Sequence, residues 1–147
     1  MPEKETLERA EEDKKEGKAP STQAGEFVRE EIEHVREGKH GARSTKQAIA
    51  IGLSKARRAG VKLSPPKKGS KKTRKQAARD LKKGKKRSAK KSAKRSRATS
   101  RALKREGHSA ASKRALSRQA HSAAKKRSAA ARSRSAKKAA KTRKKMG

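Results

Sequence analysis

The stretch TQAGEFVREEIEHVREG, residues 22–38, determines what can fold in this chain. Its large apolar residues recur at the spacing of one face of an α-helix. Glu26, Glu30 and Glu31 lie at its start and middle and Arg36 lies near its end, as the helix dipole prefers. The pattern predicts an amphipathic helix that stops at Gly38. The apolar residues are Phe27, Val28, Ile32 and Val35.

A second helix is predicted after the loop GKHGAR. Ser44 followed by Gln47 is the pattern of a capping box, and Gly60 supplies the stop. Together the two helices predict a hairpin over residues 21–63, with Val61 and Leu63 folding back onto it. One face carries Ile49, Leu53 and Ala56, and a strip of small residues beside it carries Ala48, Gly52 and Ala59. This strip would admit another backbone, so the hairpin is either a homodimer or a marginal monomer.

Composition predicts that most of the remaining chain is disordered. Only 28% of the 147 residues are apolar, 42% are charged, and Phe27 is the one aromatic residue. Such a chain buries too little apolar surface to offset the entropy of ordering. The predicted fold class is therefore mostly disordered with a small all-α element: a two-helix hairpin plus a basic tail that is partly helical.

Charge divides the chain into three regions. Residues 1–20 form a charged lead-in, residues 21–63 the hairpin module, and residues 64–147 a tail rich in Lys, Arg, Ala and Ser. The net charge is +34, although residues 1–37 alone carry −5. The acidic N-terminus could compete with a polyanion for the basic half, recruit a basic partner, or be a solvated helix. The prolines of LSPPKKGSKK, 63–72, favour an extended spacer before the tail.

The tail contains a degenerate repeat of thirteen residues. RALKREGHSAASK begins at Arg101, RALSRQAHSAAKK at Arg114, and the weaker RSAAARSRSAKK at Arg127. A period of thirteen does not keep Leu103 and Leu116 on one helix face, so it argues against a coiled coil. Ala, Lys and Arg favour helix, whereas like charges on neighbouring turns oppose it. The tail is thus predicted to be disordered when free and to gain helix, chiefly over 98–132, on a polyanion.

A surplus of cations of this size predicts a phosphate polymer as partner. The predicted function is sequence-nonspecific binding of duplex DNA by a nucleoid-associated protein that coats or compacts it. The alternative is an RNA- or ribosome-associated protein, since charge alone does not separate RNA from DNA. A membrane-surface scaffold is disfavoured because the tail lacks large apolar residues. No aromatic residue lies in the tail, which disfavours stacking on single strands.

The predicted nucleic-acid contacts lie in the hairpin and along the tail. In the hairpin they form a docking face or, alternatively, an ordinary solvated helix face. They are Arg43, Lys46, Lys55, Arg57, Arg58 and Lys62. In the tail they are Lys67, Lys68, Lys71, Lys72, Lys90, Lys91, Lys94, Arg95, Arg97, Arg101, Arg114, Lys125, Lys126, Arg127, Lys137 and Lys138.

Two resemblances accompany these patterns. Runs such as SAKKSAK, 88–94, resemble the C-terminal tails of linker histones and bacterial histone H1-like proteins, which implies DNA condensation. KQAIAIGLSKARRAG, Lys46–Gly60, together with the preceding RST, resembles a motif of an uncharacterised bacterial family of short basic proteins. That resemblance implies a bacterial origin and a recurring helical module, and it carries no catalytic residue.

Other chemistry is not predicted. The chain has no cysteine, no Gly-rich phosphate loop and no nucleophile–base pair, so no enzyme activity and no cofactor is expected. His34 and His40, with Glu30 and Glu37, suggest a metal site, but His40 falls in a loop and no metal is predicted. Serines beside cations are interpreted as soluble spacers or, alternatively, as phosphorylation sites whose modification would weaken DNA binding. A cytoplasmic, nucleoid location without membrane insertion is expected, since no apolar run approaches the ~20 residues of a membrane span.

Overall fold

The computed structural model describes residues 2–86 and 92–147, which are helical over 74% of their length. Contacts divide the chain into two compact units, Met1–Ser112 and Lys113–Gly147. The first unit contains α1 (Lys4–Lys15), α2 (Pro20–Arg36), α3 (Thr45–Arg58), α4 (Lys71–Lys85), α5 (Ala93–Lys104) and a 3₁₀ turn (Ser109–Ala111). The second contains α6 (Lys113–Lys125) and α7 (Ala129–Met146). The prediction of a mostly disordered chain is therefore wrong.

The two predicted helices of the hairpin are confirmed as α2 and α3. Gly38, with φ +77°, follows the end of α2, and Gly60, with φ +105°, follows the end of α3. The Ser44 hydroxyl accepts the Gln47 N–H at 3.2 Å, and the Gln47 side chain accepts the Arg43 N–H at 2.6 Å. The capping box thus forms, with its return bond one residue earlier than in the usual pattern.

The core of the first unit is small and rich in alanine. The helices α1, α2 and α3 contribute to it, and Leu53 and Leu63 pack at its edge. Val61 is buried and Leu63 partly buried, so the fold-back predicted after Gly60 is confirmed. The buried cluster is Ala10, Ala24, Phe27, Ala56 and Val61.

The strip of small residues on α3 is used inside the chain. Ala48 and Gly52 are buried, and an ideal Cβ built at Gly52 would lie 2.6 Å from the Cα of Val28. The backbone that approaches this strip is therefore that of α2. The close approach needs no second copy of the protein to explain it.

Replacing Gly52 by alanine should lower the free energy of unfolding by about 1–2 kcal/mol, because the new methyl group must push α2 and α3 apart. Gly25→Ala is the matched control, since a Cβ at that position of α2 meets nothing within 4 Å. Alanine there should stabilise the helix by up to about 1 kcal/mol. Urea denaturation followed by circular dichroism measures both changes, and equal signs would contradict the close packing at Gly52.

The tail is largely helical over its described residues, although its net charge predicted disorder. Ala, Lys and Arg all have high intrinsic helix propensity, and lysines in the last turn of α4 suit the helix dipole. Helices α4, α5 and α7 each begin at a serine whose hydroxyl accepts a backbone N–H three residues later. These pairs are Ser70 with Thr73, Ser92 with Arg95, and Ser128 with Ala131.

Two copies of the thirteen-residue repeat adopt different structures. The copy from Arg101 leaves α5 after Lys104, turns through Gly107 and forms the 3₁₀ turn. The copy from Arg114 lies almost entirely within α6. At the matching positions the first copy has Glu-Gly and the second has Gln-Ala, and glycine is much the weaker helix former. Sequence similarity here therefore does not extend to local structure.

The 3₁₀ turn closes over the loop between α2 and α3. Its carbonyl oxygens accept hydrogen bonds from Arg36 Nε to Ala111, at 2.8 Å, and from Thr45 Oγ1 to Ala110, at 2.6 Å. The Gly41 N–H donates to the Leu103 carbonyl at 2.8 Å. A segment that the sequence assigns to a free tail is thus part of the first unit.

Candidate nucleic-acid interface

The predicted tail contacts lie on the surface wherever the structure describes them. Every described Lys and Arg after residue 63 is exposed. Lys90 and Lys91 fall outside the described residues. The others are Lys67 and Lys68 before α4, Lys71 and Lys72 in α4, Lys94, Arg95, Arg97 and Arg101 in α5, Arg114 and Lys125 in α6, Lys126 and Arg127 after it, and Lys137 and Lys138 in α7.

The predicted hairpin contacts divide into exposed side chains and side chains held by internal contacts. Arg43, Lys46 and Lys62 are exposed, and Arg43 lies 3.9 Å from Glu106 with 81% of its side chain accessible. The other three have internal partners. Lys55 donates to Glu31, Arg58 Nε lies 2.9 Å from Asp80, and Arg57 is buried.

Arg57 is held by backbone carbonyls rather than presented to solvent. It is 7% exposed, and its guanidinium donates to the carbonyls of Leu63 at 3.1 Å and Ser64 at 3.3 Å. Burial lowers the pKa of the Arg57 guanidinium, and the nearby charge of Asp80 opposes this shift. Its role is to hold the segment after α3, so the docking face excludes it.

Asp80 anchors α4 to α3. It is 1% exposed and accepts hydrogen bonds from Ser54 Oγ at 2.8 Å, Arg58 Nε at 2.9 Å and Gln76 Nε2 at 3.1 Å. Gly84, one turn further, lies so close to α3 that a Cβ there would be 2.0 Å from the Arg57 carbonyl oxygen. These contacts fix the orientation of α4 in the first unit.

The anchoring of α4 defines a basic surface of which only Lys71 and Lys72 were among the predicted contacts. Ala77 and Asp80 are buried, Leu81 and Gly84 are half-buried, and the remaining faces are exposed and rich in cations. The signal was present as non-cationic residues spaced three or four apart in a run of lysines and arginines. We call the exposed cations of this helix the α4 surface: Lys71, Lys72, Arg74, Lys75, Arg79, Lys82, Lys83 and Lys85.

Helices α5, α6 and α7 differ from α4 because they bury no residue. In the second unit, 14 of 35 residues are Lys or Arg and none is Asp or Glu. All of these cations are exposed. The cations of the second unit are therefore all accessible to solvent, and the α4 surface faces outward from the first unit.

A second group of polar side chains, near the end of α2, combines two histidines with a buried glutamate. Glu31, His34 and His40 converge there. The sequence had suggested Glu30 and Glu37, rather than Glu31, as the acidic partners of the two histidines. His40 lies in the loop, as predicted, but the turn at Gly38 brings it back to Glu31.

The described residues contain no helix long and apolar enough to cross a membrane.

Comparison with known proteins reaches only the N-terminal part of the chain. No curated protein and no solved structure matches it. Residues 4–68 match a family of unknown function, DUF6496. The match covers α1, α2 and α3, and the basic helices α4 to α7 lie beyond it. Over its first three helices the chain is thus similar to DUF6496, whose description assigns no activity.

Proposed function

We propose that this protein binds duplex DNA without sequence preference, through phosphate contacts from α4 to α7, and coats or compacts it. The observation that carries the proposal is the absence of charge compensation in the described tail. Its two acids, Asp80 and Glu106, already have Arg58 and Arg43 as partners from the hairpin. The exposed tail cations therefore have no carboxylate partner among the described residues.

Phosphate contacts explain these cations better than base contacts do. Sequence reading needs side chains held at base edges, and α5 to α7 present long, exposed side chains on helices that bury nothing. The chain has no aromatic residue after Phe27, so no base can stack on the tail in the manner of single-strand binders. Binding to the phosphate backbone of a duplex requires only cationic side chains long enough to contact the phosphates.

The α4 surface favours a duplex partner further. Asp80 and Gly84 pack one side of α4 against α3, so the lysines and arginines of α4 project from a fixed helix. A fixed helix loses less side-chain and backbone entropy on binding than a chain that must first become ordered. We place the orienting contacts here and the bulk of the charge neutralisation in α5 to α7. Binding to bulk DNA would also place the protein on the nucleoid.

Neutralising part of α7 tests the proposal. The triple variant Lys137→Gln, Lys141→Gln and Lys144→Gln removes three exposed charges. If these side chains contact phosphates, the slope of log affinity against log salt concentration should become shallower by up to about 3. Fluorescence anisotropy on a labelled duplex measures this slope.

The matched control removes the same net charge from the acidic end of the chain. Lys4→Gln, Lys14→Gln and Lys15→Gln alter exposed residues of α1, two of which lie beside glutamates on the same helix. This variant should leave the slope unchanged. An equal effect of both variants would mean that only total charge matters and would contradict contacts from α7. Preference for structured RNA over duplex DNA at equal salt would favour the RNA-associated alternative.

A further inference from the structure

Three potential metal ligands meet at the end of α2. Glu31 and His34 lie one turn apart on this helix, and the turn at Gly38 brings His40 back toward them. One ligand atom from each of the three lies within 4.8 Å of the other two. Glu31 is fully buried, whereas the side chains of His34 and His40 are 13% and 15% exposed. The cluster is thus enclosed but open to small ions on its histidine side.

The hydrogen bonds of His40 leave one ring nitrogen facing a carboxylate. Its Nδ1 lies 2.9 Å from the Gly41 carbonyl oxygen, which can only accept, so Nδ1 carries the proton. Its Nε2 lies 3.0 Å from Glu31 Oε2. An ionised carboxylate also only accepts, so this contact is favourable only with a cation between the two atoms, either a proton or a metal. Histidine ligands of metals commonly donate their other N–H to a backbone carbonyl in this way.

His34 has a similar arrangement with a carboxylate as its outer partner. Its Nε2 lies 3.0 Å from Glu3 Oε1, and its Nδ1 lies 3.8 Å from Glu31 Oε1. With the proton on Nε2, the lone pair on Nδ1 faces Glu31. A carboxylate–histidine pair of this kind orients many metal sites.

A buried carboxylate oxygen in the same cluster has no hydrogen-bond partner. Glu30 is 4% exposed, and its Oε1 accepts no hydrogen bond although it lies 3.8 Å from His34 Nε2. Its other oxygen accepts the Glu3 N–H at 3.2 Å. Burying a carboxylate is costly unless its charge is balanced. Here, among the described residues, Glu3, Glu30 and Glu31 face only Lys39 and Lys55, so a divalent cation would balance the remaining negative charge.

We propose that Glu31, His34 and His40 bind a divalent transition-metal ion, with Zn²⁺ as the ion of choice. Two imidazoles and one carboxylate form a ligand set that suits Zn²⁺ and neighbouring first-row metals rather than Mg²⁺ or Ca²⁺, which prefer oxygen. Lys55 bonds Glu31 Oε1, which leaves Oε2 for the metal. The site is independent of the nucleic-acid surface proposed above.

The position of the site gives the metal a structural role. Its ligands lie on α2 and the following loop, Glu3 connects it to the start of α1, and Lys55 connects it to α3. Apart from these contacts the elements share a small apolar core, the cluster around Phe27, with Ile32, Val35 and Ala48 also buried. Small domains with so little apolar burial are commonly stabilised by a structural metal. Binding to the folded state alone would raise the stability of the first unit.

Calorimetric titration of the full chain with ZnCl₂, after removal of metals by chelation, tests this site. We expect one Zn²⁺ per chain and a rise in the melting temperature. His40→Ala and Glu31→Gln should each weaken binding at least tenfold, since even loss of an outer partner of a ligand costs 10–100-fold. His121→Ala, which removes an exposed histidine of α6, is the control and should bind as the wild type does.

A measurement on the wild type guards against variants that do not fold. Nitrogen-15 NMR of the histidine rings should show His34 and His40 losing their Nδ1 and Nε2 lone pairs, respectively, to the metal, while His108 and His121 stay unchanged. No Zn²⁺-dependent change at His34 and His40 would overturn the proposal. Unaltered Zn²⁺ affinity in folded His40→Ala and Glu31→Gln would overturn it as well.

Discussion

Replacing Phe27 by alanine should lower the free energy of unfolding of the first unit by about 3–5 kcal/mol. Phe27 is 1% exposed, is the largest fully buried side chain, and lies where α1, α2 and α3 meet. Its buried neighbours in the cluster are three alanines and one valine, and the larger Leu53 and Leu63 lie only at the edge, so the space that it leaves stays largely unfilled. Native-state amide hydrogen exchange of α2 and α3 measures the loss separately from the helices of the second unit.

Leu7→Ala is the control for Phe27→Ala. Leu7 is also large and apolar and lies on α1, but it is 42% exposed. Its replacement should change the free energy of unfolding by no more than about 0.5 kcal/mol. Similar losses from both variants would mean that Phe27 does not form the centre of the core.

Local rules were sufficient to predict α2 and α3. Apolar spacing located Phe27 and Val35 on a buried face, and glycine stops and the Ser44 cap located the ends. These signals act over one or two turns, so they are readable without knowledge of the rest of the chain. The same kind of signal was present in the tail, where Ser70 and Ser128 cap the starts of α4 and α7. The high net charge nevertheless led to a prediction of disorder there.

Long-range pairing was the part that sequence reasoning missed. Asp80 is one acid among many cations in the sequence, yet it is buried 26 positions from its partner Ser54 and holds α4 on α3. Arg57 and Arg58 were predicted to contact phosphate because no helical spacing links Arg57 to the Leu63 carbonyl or Arg58 to Asp80. Only the folded chain shows which cations are internally engaged.

The convergence of Glu31 and His40 illustrates the same limit. They are nine positions apart in the sequence, and a turn with positive φ at Gly38 decides whether they meet. Helical spacing alone selected Glu30 and His34, which do lie one turn apart. The better pair depends on the course of a loop, which residue type does not determine.

Raising the salt concentration from about 50 to 200 mM should weaken binding to duplex DNA by about 10³–10⁵-fold. This range corresponds to about six to ten phosphates neutralised, each releasing condensed counterions. The tail offers ample exposed cations for that number, and its two acids are already paired with Arg58 and Arg43. Anisotropy titrations over a salt series give the slope directly, and about −9 is expected for ten contacts.

Two duplexes of unrelated sequence and equal length provide the internal control for this salt series. Phosphate contacts carry no sequence information, so both duplexes should give the same slope and the same affinity at each salt concentration. A large difference between them would require base contacts that exposed lysines on α5 to α7 do not supply. A slope near zero would mean that the tail cations do not contact phosphate, because no other term of protein–DNA binding depends so steeply on salt.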